Sequence, residues 1–248
     1  MTVSPDMSGF RPNQDKKLII DTANGKFARF PVKTHVVVKG DDLKELMDKY
    51  VVDYITEGDV VFLSEKMVAI SQGRAFKLDE IKPRPLAKFL VKFVTKSPYG
   101  IGLGSPYTME LALRDVGTFR ILMGCICAAV TKPFGIKGVF YNVVGPKARA
   151  IDGPCDFTLP PYNNYAKMAP LEPDKVCAEL SAHIGCDVVV VDANDLGQDV
   201  LGTSNPYYTA EIAHQLFGDN PLDQADQQTP IAIIRKMPDD AVEPTFED

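Results

Sequence analysis

Apolar positions come in short runs whose spacing assigns most of the secondary structure. Residues 29–38, with Thr34 and the consecutive Val36, Val37 and Val38, predict a strand. Gly40-Asp41-Asp42 follows, and Leu43, Leu46, Met47 and Tyr50 then fall on one helical face, with Asp41 or Asp42 placed to cap the first turn. Beyond the Glu57-Gly58-Asp59 turn, Val60-Val61-Phe62-Leu63 shows no alternation, which predicts a short strand buried on both faces. Helices are predicted over 85–93 and over 108–116, the second stopped by Gly117. The apolar run 121–130 fits either a helix or a buried strand, because periodicity does not separate the two in short runs. Val139–Val144 predicts a strand, 174–183 a helix between Pro173 and Gly185, and the four valines 188–191 the best strand of the chain. A helix over 209–217 and a strand over 231–234 complete the pattern. The expected organisation is an extended arm over 1–28, a mixed α/β domain over 29–237 that divides into two subdomains at most, and a loose acidic tail over 238–248.

Composition narrows the function classes. With 45% hydrophobic and 24% charged residues, the 248-residue chain can bury a core and is not a disordered sequence. No apolar run approaches the ~18 residues of a membrane helix, and the first residues lack an apolar signal region. The expectation is therefore a cytoplasmic protein without a membrane partner. A net charge of −6 argues against nucleic acid as a partner, while leaving room for a phosphorylated small molecule held by local cations. Five cysteines without a CxxC pair, and three scattered histidines, form no zinc pattern.

Four polar segments can carry chemistry. Ser64-Glu65-Lys66 ends the Val60-to-Leu63 strand, and Ser71-Gln72-Gly73-Arg74 follows closely; Lys and Arg suit phosphate or carboxylate, the rival reading being an exposed charge pair. Residues 99–106 contain three alternating glycines but match neither a Walker A loop nor a Rossmann fingerprint, so a structural loop is as good a reading. Lys147, Arg149, Asp152 and Asp156 gather around a Gly-Pro turn, in which aspartate serves either a metal or the turn itself. Asp192 and Asp195 follow the four valines, where open α/β sheets bind ligands and where aspartate also caps turns.

Taken together these segments resemble the coenzyme F420-0:L-glutamate ligase family. The resemblance is carried by Pro31-Val32-Lys33-Thr34 with Gly40-Asp41-Asp42-Leu43, by Gly58-Asp59-Val60-Val61 running through Ser64-Glu65-Lys66-Met67-Val68 to Gln72-Gly73-Arg74, and by the valines leading to Asp192. It implies a γ-glutamyl ligase-like mixed α+β fold, an intertwined homodimer, GTP (or ATP) as co-substrate, and Mg²⁺ or Mn²⁺. It also implies L-glutamate and a carboxylate acceptor as the other small-molecule substrates. On this resemblance Lys66, Arg74 and Arg149 are the expected catalytic cations, and Lys33, Thr34, Ser64, Gln72 and Gly73 line the nucleotide. Asp152, Asp192 and Asp195 are the expected metal ligands. Asp192 matches the aspartate of the family's Asp-Thr metal motif, but Ala193 stands where the threonine belongs; the Asn-Ala-Gly-Val-Asp-Arg-Ser-Asn segment has Asp152 as its nearest counterpart. These departures support an alternative, a non-catalytic sensor of a nucleotide or phosphorylated metabolite on the same fold.

Overall fold

The computed structural model describes residues 7–94, 101–156, 158–194, 197–223 and 226–246. In chain order the elements are β1 (Ile19–Thr22), β2 (Gly25–Val32), α1 (Leu43–Tyr50), β3 (Val60–Ser64), α2 (Glu65–Ser71), β4 (Ala75–Lys77), α3 (Pro85–Leu90) and α4 (Pro106–Ala112). They continue as α5 (Thr118–Thr131), α6 (Val139–Val144), α7 (Pro146–Arg149), β5 (Tyr165–Lys167), α8 (Pro173–Ile184), β6 (Asp187–Asn194), β7 (Gly197–Thr203), α9 (Ala210–Phe217) and β8 (Ile231–Met237). Two compact units result: one takes the chain up to Gln72 and again from Pro170, the other is Gly73–Ala169.

The first unit is built on a mixed, mostly antiparallel sheet in the order β1-β2-β8-β3-β6-β7, in which β3 and β6 are the parallel pair. Val60, Val61, Phe62 and Leu63 are all buried, as are Val188 to Val191, which explains why neither run alternates. Phe62, Val189, Val191 and Ala232 pack with Ala213, Leu216 and Phe217 of α9, and the Phe62 and Phe217 rings stack with centroids 4.6 Å apart. α1 starts where the sequence places it, with the Asp42 carboxylate accepting from the Lys44 N–H at 2.8 Å. Gly202 of β7 is required by close approach: a Cβ there would lie 2.4 Å from the Pro173 carbonyl carbon at the start of α8.

The second unit is mainly helical. Ser105 and Thr108 form a reciprocal cap at the start of α4. Buried Glu110 is held by Arg84 at 3.0 Å and Arg114 at 2.8 Å, which keep its carboxyl below the usual range against the opposing effect of burial. The ambiguous run 121–130 is the interior of α5. Gly124 lets α6 approach it: a Cβ on Gly124 would stand 2.7 Å from a Val144 methyl.

Several expectations are corrected. Val139–Val144 is a helix, bounded by Gly138 (φ 80°) and Gly145 (φ 88°); packing on α5 prevails over its β-branched composition. The expected arm is paired from Ile19 onward, since β1 and the start of β2 form a hairpin on the sheet. Within the segment expected to be a loose tail, the Glu243 carboxylate accepts from the Leu18 and Ile19 N–H groups at 2.7 and 2.6 Å. Strand β2 ends at Val32, short of the predicted 38. No helix among the described residues is long and apolar enough to cross a membrane.

Candidate functional site

Parallel neighbours end at the same edge of a sheet, and ligands of α/β proteins bind outside the carboxyl ends of such strands. Ser64 is aligned with Val191, so the chain leaves β3 at Glu65 level with Asp192 in β6. α2 begins at Glu65 without an intervening loop. The Glu65 side chain is 2% exposed and paired with the ammonium of Lys66, whose side chain keeps 30% exposure. A shielded carboxylate thus anchors a cation that still reaches solvent.

The same edge receives the end of β2 and the start of β8. Val32 and Leu63 both pair with Ile231, and the Ser64 N–H donates to the Pro230 carbonyl at 2.8 Å. Lys33 is exposed just past β2. Thr34 is buried; its N–H donates to Gln228 O at 3.1 Å and its hydroxyl to His35 O at 2.8 Å. Lys33, Thr34, Ser64, Lys66 and Asp192 therefore share one edge of one sheet.

Asp192 is half-buried and lies directly across the β6–β7 ladder from Asp199. Directly opposed carboxylates favour a cation nearby, and a divalent ion is one that could take that place. Ala193 packs toward the core shared with α9, so strand alternation turns Asp192 to the opposite face. Among the described residues no three His, Cys, Asp or Glu side chains gather into a protein-only metal cage. Mg²⁺ bound with substrate phosphates needs only about one or two carboxylates, which Asp192 and its neighbours fit. Asp195 lies outside the described residues.

The other expected residues have different surroundings. Gln72, in the first unit, donates from Nε2 to Leu171 O at 3.0 Å and accepts from Leu171 N–H at 2.7 Å, imitating a strand partner. In the second unit, Gly73 holds a left-handed turn at φ 71°. The guanidinium of Arg74 pairs with Asp115 at 2.7 Å, both side chains 11% exposed, and its Nε donates to the Ala169 carbonyl. Arg149 ends α7, exposed, with its guanidinium 6.0 Å from the Tyr141 ring centre. Asp152 bridges to Lys167 through backbone bonds of 2.9 and 2.8 Å, and its Oδ1 accepts from Gly153 N–H. Of the glycine run, Tyr99 and Gly100 lie outside the described residues; Gly102 (φ 45°) and Gly104 form the turn that delivers Ser105 to its capping position.

One cluster escaped the motif reading. His35, next to Thr34, contacts the Tyr50 hydroxyl through Nδ1 at 2.9 Å and Asp41 through Nε2 at 3.0 Å. The His35 hydrogen bond pushes the Tyr50 phenol down to about 8. The bonds to Tyr50 and then Asp41 raise His35 above its ordinary value. Gly40-Asp41-Asp42 signals a helix start in sequence, and nothing in that signal separates the capping Asp42 from the histidine-binding Asp41. Glu65 was likewise legible as a charge, but its burial was not.

The family model described as F420-0:Gamma-glutamyl ligase matches residues 31–205 of the chain. A coenzyme F420:L-glutamate ligase from Methanopyrus kandleri is 28% identical over 163 residues, which is 64% of this chain and 55% of that relative. The chain thus spans about half the length of the curated relative it matches.

Proposed function

The chain belongs to the F420-0:gamma-glutamyl ligase family, and from that membership we propose that it joins a carboxylate acceptor to the amine of L-glutamate at the expense of GTP or ATP. The single observation that best supports this is the sharing of one sheet edge by Ser64, Lys66 and Asp192, through the Ser64-to-Val191 alignment.

A carboxylate is a poor electrophile, so the reaction needs activation. An acceptor carboxylate oxygen attacks the γ-phosphorus, the bond to the bridging oxygen breaks, and nucleoside diphosphate leaves. The glutamate amine then attacks the acyl carbonyl, loses a proton, and expels inorganic phosphate as the amide forms. Lys66 supplies positive charge to the transferring phosphoryl group, held in place by buried Glu65. Thr34, Ser64 and exposed Lys33 line the nucleotide side. Asp192 is the residue that would hold a divalent cation, and Mg²⁺ or Mn²⁺ would there neutralise charge on the phosphates. No protein nucleophile is needed. The enzyme acts in the cytoplasm as a homodimer, and coenzyme F420-0 is the first acceptor to try.

The test is nucleoside diphosphate release by purified protein with Mg²⁺ or Mn²⁺, glutamate and a panel of carboxylates that includes F420-0. Acceptor-dependent release is expected. Lys66→Ala should slow it about 30- to 1,000-fold, the loss of roughly 2–4 kcal/mol of transition-state stabilisation. Tight nucleotide binding without acceptor-dependent release would instead favour a sensor, the reading that Ala193 beside Asp192 keeps open.

A further inference from the structure

Asp41, His35 and Tyr50 have the connectivity of a proton relay. Asp41 Oδ2 accepts from the Val38 N–H at 2.8 Å, and His35 Nε2 lies 3.0 Å from the same oxygen. An ionised carboxylate only accepts, so Nε2 carries a proton and Nδ1 of the neutral ring keeps its lone pair. The Tyr50 hydroxyl, 2.9 Å from Nδ1, therefore donates to it, while its oxygen accepts from the His35 N–H at 3.2 Å. Carboxylate, imidazole and hydroxyl follow one another as in the hydrolase triads, with a phenol in the place of serine. The same bonds bring the phenol down to about 8 and raise the imidazole. Lys49, its ammonium 5.0 Å from the Tyr50 ring centre, also bonds toward the hydroxyl and favours the phenolate. The helix packed on α1 is α8, and its His183 is engaged elsewhere, 2.7 Å from Asp48.

We propose that Tyr50 takes the proton from the amine that this protein couples, with His35 as the next proton acceptor and Asp41 positioning the imidazole. The proposal rests on the ligase reading and supplies a step which that reaction requires. An amino acid arrives at neutral pH as an ammonium, which has no lone pair with which to attack an acyl phosphate. In the step, an N–H bond of the ammonium breaks and its electron pair stays on nitrogen. The proton goes to the Tyr50 oxygen as the Tyr50 proton passes to His35 Nδ1. The phenol is thereby restored, and the new imidazolium stands against Asp41. His35, 41% exposed, then releases the proton to water. The substrate ammonium takes the place of the flexible Lys49 side chain, a cationic nitrogen that already approaches this oxygen. Location agrees, since His35 directly follows Thr34 beyond the end of β2, at the sheet edge where Ser64 and Asp192 stand.

Hydroxylamine in place of glutamate tests this. It is the free base at neutral pH and traps an acyl phosphate as a hydroxamate without first losing a proton. Amide or hydroxamate formation is measured for wild type, Tyr50→Phe and His35→Gln. With glutamate at neutral pH both variants should lose about 100-fold in kcat, the lower end of what a positioned acid–base group supplies. That defect should shrink as alkali delivers glutamate already deprotonated, and it should vanish with hydroxylamine. A disturbed fold or nucleotide site would instead slow both nucleophiles alike at every pH. That result, or a full glutamate rate in Tyr50→Phe, overturns the relay and leaves the ligase reading standing. A wild type that forms neither product with any acceptor overturns the ligase reading and the relay with it.

Discussion

Ser64 and Val191 are aligned across the parallel β3–β6 pair, so the turn into α2 and the carboxylate of Asp192 reach the sheet edge together. Each strand is identifiable alone from its unalternating buried apolar run, but only the pairing brings their ends to one edge. The rest of the edge follows from β8, which runs the other way between β2 and β3 and starts where both of them finish.

Arg74 is expected to matter first for stability. Its pair with Asp115 is nearly sealed from water, and removing one partner leaves the other charged and buried. Arg74→Ala should cost about 3–5 kcal/mol in urea unfolding. The double variant Arg74→Met with Asp115→Leu should recover much of that loss. If Arg74→Ala unfolds at the wild-type midpoint, the pair is not structural and the guanidinium is free for chemistry.

Much of the fold is legible because local signals and packing agree. α1, α8 and α9 each have a cap or a stop where Asp42, Gly185 and Thr209 stand. β7 is not legible: Gly197-Gln-Asp-Val-Leu-Gly-Thr has no clean alternation, and the irregularity opposite Val190/Val191 disturbs its pattern further. Its pairing with β6 and its contacts with α9 hold it as a strand. α6 is misleading for the converse reason. Its valines suit a sheet, while glycines at both ends and the gap at Gly124 make it a helix. Among the site residues, Ser64, Lys66 and Asp192 stand out in sequence because each follows a buried strand. Arg74, Arg149 and Asp152 carry the same chemistry and stand in the second unit; residue spacing does not tell which unit a loop folds into.

Gly124 gives a test of the α5–α6 contact in which two effects oppose each other. Replacing glycine by alanine inside a helix gains up to about 1 kcal/mol of propensity. Here the new methyl would meet Val144 at 2.7 Å and Phe140 at 3.2 Å, and overpacking typically costs about 1–3 kcal/mol. Gly124→Ala should therefore lower the thermal midpoint. A higher midpoint would show that α6 moves aside without cost.

Tyr50 should ionise early. Absorbance of the phenolate at 295 nm should show one tyrosine titrating near 8, well below the ordinary phenol, and Tyr50→Phe should remove that phase. The sign for stability follows from a folded-state value below the unfolded one. The tyrosine contributes nothing below about pH 8, and its contribution grows as pH rises from 8 toward the unfolded value near 10. His35 works in the opposite direction: raised in the folded state, it stabilises below its ordinary 6.5 and loses that contribution as pH climbs through the folded value. His35→Ala should return Tyr50 to the ordinary range; a Tyr50 phase near 8 that survives this change would contradict the cluster's role.

The most direct test of the site is calorimetric titration of GTP into wild type and Asp192→Asn, each with and without Mg²⁺. A site at the β3–β6 edge predicts that Mg²⁺ tightens GTP binding to the wild type and that Asp192→Asn loses most of this gain. Equal affinity in all four titrations would contradict it.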